Sequence, residues 1–168
     1  MKNKNIIVVS LLIILVVGLI LWGKLGSARP ADSAAIATGS TSATFADSIP
    51  AYDFGSVSMA RGNVEHEFAI TNTTEADFTV TKAETSCMCT NVVLRLPDGK
   101  EIGPFGMPGH GFAQAINAVI GAGEKLIARV IFDPAAHGPA GIGQIERAVM
   151  LATNKGPIMI QFRAKVTP

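Results

Sequence analysis

The stretch Val64-Glu65-His66-Glu67-Phe68-Ala69-Ile70-Thr71 decides the fold, because its side chains alternate with a period of two. Successive side chains of a β-strand point to opposite faces, so this period predicts a half-buried strand with His66 on the core side. Asn72-Thr73-Thr74-Glu75 follows and supplies residues that favour turns and satisfy backbone groups at a strand end. The stretch therefore predicts a strand that ends in a turn.

The same alternation recurs through the C-terminal two thirds of the chain. Further strands are predicted at Phe78–Thr81, Cys89–Leu94, Leu126–Phe132, Ile145–Leu151 and Ile158–Val166. Short turns such as Thr153-Asn154-Lys155-Gly156 separate them. Residues 51–168 show no strong helical period, so this part of the chain is predicted to be an all-β, antiparallel β-sandwich.

One segment, at about residues 97–123, interrupts this rhythm because it is rich in glycine and proline. It is too long for a hairpin turn and is predicted to be a loop, with one or two short helical turns between Phe112 and Ile120. Long loops in compact domains are often functional. We therefore expect a partner protein to contact this segment.

The N-terminal residues 1–28 predict a membrane segment. Ile6 to Trp22 is apolar apart from Ser10 and Gly18, and as a helix it would span roughly 26 Å. Its length favours a retained signal-anchor over a cleaved signal peptide, although Gly26-Ser27-Ala28 offers a cleavage site. The basic tail before the apolar run favours a cytoplasmic N-terminus.

This orientation predicts a single-pass cell-membrane protein with its C-terminal domain outside the cytoplasm, in the periplasm or on the outer surface. Cleavage would instead release a secreted domain. Residues 29–50 are rich in Ala, Ser and Thr and are predicted to be a flexible tether.

Charge and motifs exclude several classes of function. Fourteen Lys and Arg against thirteen Asp and Glu give a net charge of +1, which is no basic field for nucleic acid. The sequence contains no Gly-x-Ser-x-Gly elbow and no phosphate-binding glycine loop. Glu65 and Glu67 share a strand face and are expected to form an exposed acidic strip. No catalytic residues are therefore predicted.

The two cysteines, Cys87 and Cys89, form the pattern with the most chemical potential. In a regular strand their Cα atoms would lie about 6.6 Å apart, near the upper limit for a disulfide, unless a turn or bulge at Met88 brings them closer. A ring this small adds little chain entropy and suits thiol exchange more than a structural staple. The alternatives are two small core residues or two soft ligands for Cu(I) or Zn²⁺.

A metal site would need further ligands, for which His110 and His137 are the candidates. Both lie in connections rich in glycine and proline, and no Cys-x-x-Cys or His-x-x-x-His spacing accompanies them. Each is expected to be a solvated loop residue unless the fold brings it to the cysteines. Met150 and Met159 are predicted on the outward faces of their strands, where methionine suits contact with a partner.

Several short motifs, in order and spacing, resemble the bacterial domain of unknown function 1573. They are Tyr52-Asp53-Phe54-Gly55-Ser56-Val57, His66-Glu67-Phe68, Ile70-Thr71-Asn72, Ser86-Cys87-Met88-Cys89-Thr90, Phe132-Asp133-Pro134 and Thr153-Asn154. The resemblance covers about residues 51–166 and implies an immunoglobulin-like sandwich, akin to the domains named after the cilium protein hydin. The sequence departs from the family pattern at Met88, where the family usually has glycine. Its Gly/Pro-rich segment is also longer than the family's usual connection.

The sequence thus predicts a membrane-anchored extracytoplasmic immunoglobulin-like module, without catalytic activity, that mediates protein–protein contact in the bacterial envelope. No cofactor is required by this function. The alternative is a thiol-redox or copper-handling protein that acts through Cys87 and Cys89.

Overall fold

The computed structural model describes residues 49–110 and 115–168. Within those two ranges no helix is long and apolar enough to cross a membrane. The predicted membrane segment at 1–28, and the tether up to residue 48, lie outside the described residues.

Nine strands make up most of the described chain. They are β1 (Tyr52–Ser58), β2 (Val64–Thr71), β3 (Phe78–Thr85), β4 (Thr90–Arg95), β5 (Glu101–Phe105), β6 (Ala118–Ile120), β7 (Lys125–Phe132), β8 (Gly143–Thr153) and β9 (Gly156–Thr167). Two short 3-10 turns, Met59–Arg61 and Gly138–Gly141, connect β1 to β2 and β7 to β8.

The strands form two sheets. One has five strands in the order β1-β9-β8-β3-β6, and the other has four in the order β2-β7-β4-β5. Every strand pair is antiparallel except β1 with β9, which run parallel. The predicted all-β immunoglobulin-like sandwich is confirmed, and the parallel pairing of β1 is an addition that the alternation of side chains could not reveal.

The core lies between the sheets and follows the predicted period of two. Along β9, buried residues alternate with exposed ones over its full length, as a strand with one solvated face requires. Phe162 lies near the centre of this core, with its ring centroid 5.4 Å from that of Phe54 and 5.6 Å from that of Phe132. At the margin, His66 is half-buried and stacks on Tyr52 with ring centroids 3.5 Å apart.

The Gly/Pro-rich segment at 97–123 differs from the predicted loop, because β5 and β6 lie inside it. Val92 of β4 pairs with Phe105 of β5, and Phe78 of β3 pairs with Ile120 of β6. The helical turns predicted up to Ile120 are replaced at 118–120 by β6, while residues 111–114 lie outside the described part. Both strands are sheet edges, where proline and glycine are tolerated because one side of the strand needs no hydrogen bonds.

Asn72 joins the end of β2 to the turn between β6 and β7. Its side chain is fully buried, and its Nδ2 lies within 3.0–3.1 Å of the carbonyl oxygens of Ala76, Ile120 and Gly121. Its Oδ1 accepts hydrogen bonds from the N–H and the hydroxyl of Thr74. This asparagine is the strand-end residue that the sequence predicts, and its amide also holds a segment almost fifty residues away.

Candidate functional site

A tight turn between β3 and β4 positions the two cysteines. The N–H of Thr90 donates to the carbonyl oxygen of Cys87 at 3.1 Å, which places Met88 and Cys89 at the centre of the turn. The turn brings the Cα atoms of Cys87 and Cys89 to 5.2 Å, and the two residues form a disulfide. Among the described residues only glycines have a positive φ, so Met88 adopts an ordinary backbone conformation in this bend.

Buried hydroxyl and backbone groups fix the turn. The hydroxyl of Thr85, at the end of β3, lies 3.0 Å from the carbonyl oxygens of both Cys87 and Thr90. The N–H of Asp133, just after β7, donates to the carbonyl oxygen of Cys89 at 2.9 Å. Buried backbone groups need partners, so these bonds hold the disulfide at the junction of the two sheets.

The two sulfurs have different surroundings. His137 Nε2 lies 3.1 Å from Cys87 Sγ, and Arg147 Nε donates to Cys89 Sγ at 3.4 Å. The N–H of Cys89 donates to Cys87 Sγ at 3.2 Å. Both residues are buried, with 8% of the surface of Cys87 exposed and 1% of that of Cys89, so Cys87 is the less deeply buried of the two.

The elements that carry His137 and Arg147 are tied to the cysteine turn. His137 immediately precedes the 3-10 turn Gly138–Gly141 in the connection from β7 to β8, and its side chain is exposed. Arg147 lies on β8 and is half-buried. Two 2.9 Å hydrogen bonds join its neighbour Ala148 to Ser86. The Ser86 N–H donates to the Ala148 carbonyl oxygen, and the Ala148 N–H donates to the Ser86 hydroxyl.

The predicted metal ligands come together in part. The ligand atoms of Cys87, Cys89 and His137 all lie within 4.8 Å of one another, the one such group of three found in the described residues. His110 is exposed and does not join them; its backbone N–H donates to Met107. The fold therefore assembles a Cys2His set in place of Cys2His2, and only the reduced cysteines would offer thiolates to a metal.

The alternation of side chains predicts that Arg147 lies in a strand but assigns it no role at the site. A signal was present, because Arg147 follows the core-facing register of Ile145, Val149 and Leu151. A charged side chain on a core-facing position needs polar partners, and here Arg147 donates to Cys89 Sγ and to the carbonyl oxygen of Glu146.

An open cleft of about 350 Å³ lies next to residues that neighbour the cysteine turn. Ser86 and Arg147, which neighbour the cysteines, form part of its wall. The remaining lining residues are Ala51, Glu146, Ala148, Gln161, Phe162 and Arg163. Neither cysteine is among the lining residues, so the cleft meets the cysteine turn only through Ser86 and Arg147.

A methionine pair lies on the outer face of the five-stranded sheet. Met150 of β8 and Met159 of β9 are directly opposite each other, and they are 37% and 49% exposed. Ala148, Ala152 and Pro157 share this face by the alternation of the two strands. The sequence prediction that these methionines point outward is confirmed.

The carboxylates of the sheet surface serve structural ion pairs. Glu67 accepts from Arg95 at 2.8 Å, and Glu65 lies 3.9 Å from Arg129, so arginines of β4 and β7 neutralise the predicted acidic strip. Asp53 accepts from the N–H of Gly55 at 2.8 Å and from Arg163. The Gly55 hydrogen bond, and then Arg163, lower the pKa of the Asp53 carboxyl below its ordinary value.

Several solved structures align with this chain at low sequence identity. A protein of unknown function from Porphyromonas gingivalis W83 aligns with a TM-score of 0.50 and 14% identity, over 68% of this chain and 43% of that one. The VesB protease of Vibrio cholerae aligns at 0.44 and 13%, over 75% and 32%. The PapD-like domain 7 of human CEP192 aligns at 0.36 and 11%, over 71% and 78%. This chain spans less than half the length of the first two, and the likeness to the first indicates the fold alone.

No curated protein matches the sequence. A family match does exist, and it includes the cysteine turn together with strands β1 to β4. The motifs at 132–134 and 153–154 lie beyond the matched range, so the predicted resemblance is confirmed for the first part of the sandwich: residues 45–97 match the family described as a protein of unknown function, DUF1573.

Proposed function

We propose that this chain is a membrane-anchored, extracytoplasmic immunoglobulin-like module that binds an envelope protein through a noncatalytic surface. The observation that carries the proposal is the methionine pair, Met150 and Met159, exposed at the centre of the five-stranded sheet. The small residues that share this face leave room for a partner to contact both methionines.

The chemistry of this surface suits protein recognition. Methionine is flexible and polarisable and adapts to the shape of a partner, and exposed apolar patches mark interaction sites. An ion pair between Lys82 and Glu84 borders the patch, because Glu84 of β3 is the cross-strand neighbour of Met150. An apolar centre with a charged border is the usual arrangement of a protein–protein interface.

The binding surface is tested with a photo-crosslinking amino acid at Met159 in the full chain, expressed in its native membranes. The matched control carries the same group at Glu67, which is exposed on the outer face of the other sheet. We expect one discrete crosslinked protein from position 159 that disappears when Met150→Lys is added, and none from position 67. Equal crosslinking from both positions, or none from either, would contradict the proposal. Deleting residues 97–116 of the Gly/Pro-rich segment would not test for contact with a partner, because the deletion would also remove β5.

The extracytoplasmic location is supported by two features. The apolar run from Ile6 to Trp22 is long enough for a retained anchor, and disulfides persist mainly outside the cytoplasm. We expect the full chain to stay with the membrane after alkaline carbonate extraction. We also expect protease added to intact spheroplasts to digest the sandwich. A soluble, N-terminally shortened product would indicate cleavage and secretion, and a protease-protected sandwich would contradict the orientation.

A further inference from the structure

We propose that the Cys87–Cys89 disulfide accepts two electrons from the dithiol of a partner protein, with Cys87 as the sulfur attacked and Arg147 and His137 as the residues that stabilise the released sulfurs. This activity goes beyond partner binding and does not rest on it. It is carried by the different environments of the two sulfurs.

Exposure decides which sulfur the incoming thiolate attacks. Cys89 is 1% exposed and lies beneath Arg147, whereas Cys87 is 8% exposed and its other neighbour, His137, is a solvent-exposed side chain. Thiol–disulfide exchange proceeds through a mixed disulfide, and its rate depends on access to the attacked sulfur. The partner therefore forms its mixed disulfide with Cys87, and Cys89 is the leaving group.

Arg147 favours this direction of electron flow. Its Nε–H already points at Cys89 Sγ, so the negative charge that develops on the departing sulfur meets a cation and a hydrogen-bond donor. Oxidising disulfides are those whose reduced form is stabilised. The ring closed by the disulfide contains three residues, and so short a loop adds little chain entropy in favour of the oxidised form.

The exchange balances in two steps. One thiolate of the partner attacks Cys87 Sγ, the Cys87–Cys89 bond breaks, and its electron pair leaves on Cys89 beside Arg147. The partner's second thiolate then attacks the partner's first sulfur, which is bonded to Cys87 in the mixed disulfide. This forms the partner's own disulfide and releases Cys87 as a thiolate. His137 Nε2, 3.1 Å from Cys87 Sγ in the disulfide, is placed to hydrogen-bond this second thiolate. The partner dithiol becomes a disulfide and the Cys87–Cys89 pair becomes two thiolates, which turn into thiols when each takes up one of the two protons that the partner dithiol released to solvent.

A soft-metal site is the competing use of the same atoms. Reduced Cys87 and Cys89 with His137 would offer two sulfurs and one nitrogen to Cu(I). Arg147 argues against this use, because its cation contacts one of the two sulfur ligands and would repel a bound metal ion. The disulfide and the arginine together favour electron exchange.

The first test measures the equilibrium between the full chain in mild detergent and dithiothreitol, by counting protein thiols after an acid quench. We expect Arg147→Gln to lower the equilibrium constant for reduction about tenfold, as loss of one charged hydrogen bond to the released sulfur would do. Arg95→Gln, which removes a surface arginine from the other sheet, should leave the constant unchanged. If the equilibrium constant for reduction of the Arg147→Gln protein equals that of the unaltered protein, the proposal is overturned.

His137 is tested against the other candidate histidine. His137→Asn should slow the second step, so that the mixed disulfide on Cys87 accumulates during the reaction and becomes visible by mass spectrometry. His110→Asn should behave as the unaltered protein, because His110 lies outside the cluster. Both variants change exposed residues and leave the core intact, so the comparison does not depend on cysteine replacement.

The order of attack is tested with single-cysteine variants. Cys89→Ser should form a mixed disulfide with oxidised glutathione at least about ten times faster than Cys87→Ser, because Cys89, the cysteine left in Cys87→Ser, is the more deeply buried of the two. Faster reaction of Cys87→Ser overturns the assignment.

Titration of the reduced protein with Cu(I) alone provides the fourth test. A stoichiometric complex that blocks reoxidation overturns the exchange proposal in favour of a metal site. A disulfide that dithiothreitol does not reduce in the folded protein overturns both uses. Free exchange with no Cu(I) retained supports the proposal.

Discussion

Replacing Asn72 by alanine should destabilise the sandwich far more than a single polar surface residue would. The buried amide offers two N–H hydrogens to three carbonyl oxygens and accepts two hydrogen bonds from Thr74. Each lost bond costs about 1 kcal/mol, and buried groups left without a partner add to this. Water can reach the half-buried Thr74, so we expect about 3–4 kcal/mol in all, or a fall in Tm of roughly 12–16 °C for a domain of this size.

Urea unfolding of the full chain in detergent, followed by circular dichroism, measures this loss. Tryptophan fluorescence is unsuitable because the one tryptophan, Trp22, lies in the N-terminal apolar run. The matched control is Asn154→Ala, since exposed Asn154 accepts one hydrogen bond from the Thr79 N–H and should cost only about 0.5–1 kcal/mol. The slope of unfolding against urea must stay constant for the comparison to hold.

A second substitution separates the two halves of the amide. Asn72→Asp keeps the oxygen that accepts from Thr74 but points a carboxylate at the carbonyl oxygens of Ile120 and Gly121. It should cost at least as much as alanine, because a buried charge facing acceptors is worse than a missing donor. An Asn72→Ala protein within about 1 kcal/mol of the unaltered chain, or no less stable than Asn154→Ala, would refute the reasoning.

Three further predictions concern the disulfide, the core and one surface carboxylate. Reducing the disulfide should lower the free energy of unfolding by only on the order of 1.5 kcal/mol, because the closed loop is so short; a loss several times larger would make the bond a structural staple. Phe162→Ala should cost about 3–5 kcal/mol in urea unfolding, against less than about 0.5 kcal/mol for its exposed neighbour in Gln161→Ala. Asp53 has its pKa lowered from 3.8, so its contribution to stability is complete above that value and is lost as pH falls through the lower folded value. Arg163→Gln should raise the pKa of Asp53 in an NMR titration without restoring it fully, because the Gly55 hydrogen bond is the larger cause; an unchanged pKa would contradict the ion pair.

The long strands were predictable because their side chains carry the period of the sheet. The alternation at β2, β7 and β9 in the structure matches the apolar pattern of the sequence almost residue for residue. The short edge strands β5 and β6 were not predictable. β5 has five residues, which include Gly103 and Pro104, and β6 has three, so neither carries enough of the strand period to be recognised. The parallel pairing of β1 with β9 was also hidden, because a local pattern fixes the faces of a strand and not its partner.

The candidate site was predictable only as a set of possible members. Cys87 and Cys89 are neighbours in the sequence, so their pairing required only a local turn. His137 and His110 could not be told apart, because the sequence does not say which connection passes the cysteine turn. The structure distinguishes them through the backbone bond from Asp133 to Cys89, which holds the connection carrying His137 against the sulfurs.

Strand β8 carries the residues of both proposals on opposite faces, and this makes the two proposals separable. Met150 points outward beside Met159, whereas Arg147, three positions earlier, follows the inward register and contacts Cys89. A period of two sends residues at odd separations to opposite faces of a sheet, so a change at one need not alter the surroundings of the other. Met150→Lys should therefore abolish crosslinking from position 159 while leaving the dithiothreitol equilibrium unchanged, and Arg147→Gln should do the reverse. If either substitution alters both measurements, the outer face and the disulfide belong to a single interface, and the partner that docks on the methionines is also the source of the dithiol.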